Sequence, residues 1–188
     1  MKNIEKYLRE NGYADRGLNE KFEFRDIHKD EADQAVEIEQ ICFPPHEACS
    51  KAHMKDRIEK VPELFLVAID KETGKIAGFL NGIATNEKKF RDEFFTEADL
   101  NESDGDNVML LGLDVLPQYR GQGLATEIVF NYLCREEEKG RKRLILTCLD
   151  GKIKMYEKMR FVDLGISDSV WGDEEWHDMC YTINVEEK

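Results

Sequence analysis

The stretch Leu110 to Ala125, LLGLDVLPQYRGQGLA, constrains the fold of this 188-residue chain more than any other. An apolar, strand-like run reaches Val115, Pro117 breaks it, and Arg120-Gly121-Gln122-Gly123-Leu124-Ala125 leads into a helix over Thr126 to Glu138. Gly121 and Gly123 let the backbone turn tightly and come close to a ligand. The helix start adds unpaired N–H groups and the positive end of a dipole, a suitable seat for a phosphate. A phosphorylated cofactor is therefore the first expectation. Two phosphate loops compete for these residues, but GxxxxGK[ST] is absent, and GxGxxG fails at its third glycine, where Thr126 stands. An isolated GxG can also simply end a loop and cap a helix, so the rest of the chain has to decide.

With 41% hydrophobic residues and 188 positions, the chain can bury one good core. Its net charge of −13 disfavours a nucleic-acid binder, which would carry a basic stripe, and suits a cationic substrate such as an amine. Excess Asp and Glu also serve simply to keep a protein in solution. No apolar run is long enough to cross a bilayer and the N-terminus lacks an apolar signal core, so no membrane partner and a cytoplasmic location are expected. Cys42, Cys49, Cys134, Cys148 and Cys180 are odd in number and lack CxxC spacing, which argues against a disulfide framework and a zinc site. No metal is expected.

The pattern along the chain alternates α and β. Residues 2–11 can form a polar helix within an N-terminal extension over 1–21. A strand is expected at 22–27, and helical spacing then runs through Ala35, Ile38, Glu39 and Cys42 with Asp30 as N-cap and Pro44-Pro45 as the stop. Ser50 can cap a helix to Lys60. A hairpin over 64–85 turns at Glu72-Thr73-Gly74, and Gly78 and Gly82 mark a bulge or a close approach. Residues 86–106 read as a charged surface insertion with a helical turn. Strand 107–115, helix 123–138, strand 143–149, helix 152–159 and strands 161–167 and 176–184 follow.

Arg120, Gly123 and Ala125 match [RQ]xxGx[GA], and about 30 residues later KIKMYEKMRF carries a tyrosine on a helix that ends in a step to Phe161. Together they resemble the two signatures of the GNAT superfamily of acetyl-CoA-dependent N-acetyltransferases. Residues 31–183 look most like its arylalkylamine (serotonin) N-acetyltransferase branch, through Phe43-Pro44-Pro45-His46-Glu47-Ala48, Pro62-Glu63-Leu64, Leu146 to Asp150 and Asp178-Met179. The resemblance implies one α/β domain over 22–186, its central mixed, mostly antiparallel sheet splayed at a bulge and flanked by helices. Gly112 suits that bulge.

By the same resemblance, acetyl-CoA is the cosubstrate and inserts between the splayed strands. Leu113, Asp114 and Val115 on the strand, Arg120, Gly121, Gln122, Gly123, Leu124 and Ala125 in the loop, and Tyr156 would hold it. The Leu113 N–H would polarise the thioester carbonyl and Tyr156 would protonate the departing thiolate. Arg120, Arg135, Lys139, Arg141, Lys142 and Arg143 can offset the charge of the cofactor. Two departures stand out. The paired histidines that relay the proton in the serotonin-acetylating enzymes are replaced by Met109 and Leu111, which leaves water, Asp114, Glu47, His46 or His177 as the base, with Glu47 and His46 ranked first. Arg160 stands where the family has glycine, so either it adopts a left-handed conformation or the helix exit differs. The expected reaction is acetyl transfer to a small primary amine by direct attack, in a monomer or homodimer. Polyamine or protein amino groups, an acetyl-CoA-binding regulator without turnover, and a nicotinamide-binding domain are the alternatives.

Overall fold

The computed structural model describes residues 12–13 and 16–183. The helix expected over 2–11, most of the N-terminal extension and the end of the domain at 184–186 lie outside the described residues. Seven strands form one sheet: β1 (Phe22–Asp26), β2 (Phe65–Asp70), β3 (Lys75–Thr85), β4 (Asn107–Val115), β5 (Arg143–Leu149), β6 (Val162–Ile166) and β7 (Trp176–Thr182). Their spatial order is β1-β2-β3-β4-β5-β7-β6. Every pair is antiparallel except β4–β5, which is parallel and therefore needs a crossover. The helix after the glycine loop, α3 (Leu124–Glu138), supplies it.

The period-2 alternation of the strands sends residues to two covered faces. On β2, Leu66 and Ala68 meet Leu124, Ile128 and Leu133 of α3, while Phe65 and Val67 meet Ile38 of α1 (Ala32–Cys42) and Met54 and Ile58 of α2 (Lys51–Lys60). The strand is buried throughout, as a strand covered on both faces must be. Ser50 caps α2 as its residue type suggests, its Oγ accepting the His53 N–H at 3.2 Å. Asp30 does not cap α1. It lies inside a 3-10 turn, Lys29–Glu31, that is held when the His28 N–H donates to Glu31 Oε2 at 2.8 Å and Arg25 grips the same carboxylate.

The insertion is more than a surface excursion. Phe90 and Phe94 are buried against Ile83, Met109 and Ile145, and Phe95 stacks at 4.8 Å on Trp171. The bulge in β4 falls one residue before the expected glycine: Asn81 pairs with Gly112 and Gly82 with Leu110, so Leu111 is the extra residue. Gly82 is needed opposite it, because a Cβ there would lie 2.8 Å from the Met109 carbonyl oxygen. The pairing of β4 with β5 stops at Leu110–Leu146, whereas β5 stays paired with β7 to Leu149–Trp176. The two central strands therefore diverge over their last residues.

Candidate acetyl-transfer site

A cavity of about 630 Å³ opens where β4 and β5 separate. Its first end is built by the glycine loop. Gly121 and Gly123 take left-handed φ values of 75° and 91°, and Gly123, the N-cap of α3, has no side chain with which to cap that helix. Arg120, Gly121, Gly123, Leu124 and Ala125 line this end together with Leu113 and Val115. Arg120 Nε donates to the Val115 carbonyl at 2.8 Å, which fastens the loop to the strand. Backbone donors, a helix N-terminus and a guanidinium around one space suit a diphosphate.

Two of the residues expected at the cofactor stand elsewhere. Gln122 turns outward, its Oε1 accepting from Lys21 Nζ at 3.2 Å. Asp114 is fully buried and lies outside the lining. Four of the cations expected to offset the cofactor charge are engaged away from the loop: Arg135 with Asp26 at 2.6 Å, Lys139 and Arg141 with Glu136, and Lys142 with Asp106. They sit at the far end of α3, and a helix of that length spans about 22 Å.

Tyr156 lines the middle of the cavity from α4 (Ile153–Lys158), its ring edge-on to Phe161 at 5.6 Å. Burial raises its phenol above the ordinary value, so it carries its proton at neutral pH. Arg160 has φ 66°, the left-handed conformation. The Phe161 N–H donates to the Tyr156 carbonyl at 3.0 Å and the Arg160 N–H to the Glu157 carbonyl at 2.9 Å. That is the hydrogen-bond pattern of a glycine-type helix end, here built on arginine. Cys148 also lines the cavity, but burial pushes its thiol up to about 12, which makes it a poor nucleophile.

The second end is aromatic. Phe43, Pro44, Phe95, Trp171 and Trp176 form its walls. Trp171 Nε1 donates to the Glu47 carbonyl and Trp176 Nε1 to the Trp171 carbonyl, each at 2.8 Å, which ties the Pro-Pro loop to the C-terminal region. Glu47 lines the cavity, and burial raises its carboxyl above the ordinary value. His46 does not line it: its side chain is 52% exposed at the rim, 3.6 Å from Glu47 and 3.3 Å from Glu174. These three groups could bring ligand atoms within 4.8 Å of one another. His177 also lies outside the lining, with Nδ1 3.1 Å from Asp163.

Three polar residues absent from the sequence reading of the site enter this end: Glu39, Arg57 and Asn81. Arg57 Nη1 donates to Asn81 Oδ1 at 2.8 Å, and Asn81 Nδ2 faces the Gly112 carbonyl at 3.4 Å. Glu39 Oε1 accepts the Cys49 N–H at 2.8 Å, and its other oxygen stands 3.5 Å from where a Cβ on Gly112 would lie. Burial raises the Glu39 carboxyl, and burial together with Glu39 pushes that of Asp114 well above the carboxylate range. Two buried carboxyls so close to each other cannot both ionise readily, and Asp114 is the one that keeps its proton. The signal for Glu39 was a charge on the otherwise apolar face of α1, beside Ala35 and Ile38.

Residues 32–161 match the family model described as Acetyltransferase (GNAT) family, more than half of the chain. The chain belongs to this acetyltransferase family. Among curated protein sequences, none matches it. Solved GNAT structures share the fold at low identity. The loading GNATL domain of CurA from Lyngbya majuscula superposes with a TM-score of 0.72 at 14% identity, covering 86% of this chain and 98% of that one. The ribosomal-protein-S18-alanine N-acetyltransferase from Escherichia coli gives 0.66 at 18%, covering 89% and 97%. The phosphinothricin acetyltransferase from Sinorhizobium meliloti, solved with AcCoA, gives 0.62 at 16%, covering 86% and 88%. The last two are named for different acceptors, so the shared fold leaves the acceptor of this chain to its own pocket.

Proposed function

We propose that this GNAT protein transfers acetyl from acetyl-CoA to the primary amine of a small molecule with an apolar, arylalkyl-like body. The carrying observation is a single cavity with a diphosphate-type seat at one end and an aromatic slot with two carboxylates, Glu39 and Glu47, at the other. The pairing of β4 with β5 ends at Leu110–Leu146, which leaves backbone groups of β4 beyond it, apart from the Val115 carbonyl held by Arg120, for the pantetheine arm and the thioester carbonyl. Glu39, close to Gly112 at the bulge, takes the first proton from the ammonium form of the acceptor. The neutral amine then attacks the thioester carbon directly, the C–S bond breaks, and Tyr156 gives its proton to the departing thiolate. The second amine proton restores Tyr156, and Glu39 returns its own to solvent. Glu47, near the rim, attracts the ammonium group.

An amino acid would bring a carboxylate against Glu39 and Glu47, so amines should be preferred to the matching amino acids. Thiol release from acetyl-CoA with tryptamine and tryptophan tests this: kcat/KM for tryptamine should exceed that for tryptophan by about tenfold or more, the worth of roughly one unfavourable charge contact. Equal values, or a preference for tryptophan, would reject the acceptor assignment.

A further inference from the structure

The cations at the C-terminal end of α3 are engaged away from the glycine loop, and beside Arg120 the structure brings a further one from outside the family-matched segment. Residues 12–13 and 16–21 lie across the start of α3. Tyr13 Oη donates to the Lys158 carbonyl at 2.8 Å, and its ring meets Phe130 edge-on at 5.5 Å. Asn19 reaches Glu127 at 3.4 Å, and Lys21 bonds Gln122 while lying 5.5 Å over the Tyr119 ring. Held between these anchors, the Arg16 side chain lies directly over Gly123: a Cβ there would strike its Nη1, Cζ and Cδ atoms. The guanidinium is thus at the loop atom that a diphosphate must approach most closely.

We infer that Arg16 is a cofactor-binding residue, a guanidinium carried by the N-terminal strap that closes over the diphosphate of acetyl-CoA from the side opposite the loop amides. This rests on the acetyl-CoA reading above. Three observations support it. The strap is anchored on both sides of residue 16 by packing and hydrogen bonds, which limits the entropy lost when Arg16 engages a ligand. A guanidinium forms planar, paired hydrogen bonds to phosphate oxygens that lysine cannot reproduce. The chain carries a net charge of −13, so an anionic cosubstrate needs local positive charge to offset the repulsion.

The test uses the full chain and Arg16→Ala and Arg16→Lys variants, with acetyl-CoA, acetyl-dephospho-CoA and acetyl-pantetheine as probes. Arg16→Ala should raise KM and Kd for acetyl-CoA about tenfold, the usual loss for one charge-assisted hydrogen-bonded pair, with kcat and amine KM unchanged. Arg16→Lys should recover part of the loss. The same penalty should appear with acetyl-dephospho-CoA, which keeps the diphosphate, and vanish with acetyl-pantetheine, which lacks it. Unchanged affinity in Arg16→Ala overturns the proposal, as does tighter binding, which would make Arg16 a plug. An equal penalty with acetyl-pantetheine also overturns it, by making the role structural, and so does a penalty lost with acetyl-dephospho-CoA, by moving Arg16 to the 3′-phosphate. If the unaltered chain fails to bind acetyl-CoA, the parent reading falls first, which is a different result from a bound cofactor indifferent to residue 16.

Discussion

Glu39 and Asp114 show how one buried contact redistributes a role along the chain. Either carboxylate alone in an apolar site would be costly, and side by side they become a pair that holds one proton and offers one basic oxygen. The Glu39 oxygen not bonded to Cys49 stands at the bulge rather than at the rim, where His46 lies. The sign of the pH dependence follows. Glu39 has a raised value, so it is protonated and inactive as a base at low pH, and kcat/KM should climb as pH rises through that value. Glu39→Gln should flatten the acid limb and lower kcat by about 10² or more, within the span ordinarily lost with a general base. Glu47→Gln should act mainly on amine KM. The check is a pH–rate profile for each variant over pH 5 to 9; a Glu39→Gln profile identical to that of the parent protein would remove Glu39 from the chemistry.

At the scale of elements, the exit of α4 is where sequence and backbone are least in agreement. The left-handed conformation at residue 160 belongs to glycine, and an L-residue there costs roughly 1–2 kcal/mol. The Tyr156 and Glu157 carbonyls hold it by accepting the N–H groups of Phe161 and Arg160. Arg160→Gly should therefore stabilise the protein by about 1 kcal/mol and raise Tm by a few degrees, less whatever the arginine side chain contributes. Thermal melting of the variant checks this, and a lowered Tm would mean that side-chain contacts of Arg160 outweigh the backbone strain. The N-terminus of α3 obeys the opposite logic. There glycine is present where the conformation and a close approach require it, and the local sequence was sufficient to recognise the loop.

At the scale of the whole molecule, charge and cavity act together. With 40 acidic against 27 basic residues, the long-range field favours the approach of cations. Salt screens that field over about 8–10 Å at ordinary ionic strength. For a cationic amine, kcat/KM should fall several-fold between 20 and 300 mM NaCl, while the KM for acetyl-CoA should fall or stay level as repulsion is screened. Stopped-flow or steady-state assays at matched pH decide this. An amine kcat/KM that stays level with salt would mean that the surface field plays no part in capture, and a rise would mean that it opposes the amine.

The local sequence sufficed for features governed by short-range stereochemistry. Period-2 and period-3.6 apolar spacing marked the strands and helices, Ser50 marked a cap, and Gly121 and Gly123 marked a tight turn into a helix. Each is decided by φ/ψ preference and by neighbours a few residues away. Tertiary structure decided what depends on contacts across the chain. Only the register of β3 against β4 makes Leu111 the bulged residue, and only the packing of α1 on the sheet sets Glu39 against Asp114, 75 positions apart in the chain. The same holds for Phe95, carried into the cavity wall by an insertion that reads as surface, and for Arg16, laid on Gly123 from 107 positions away. Such pairs leave no periodic trace in the sequence, because the energy that brings them together comes from burying other residues.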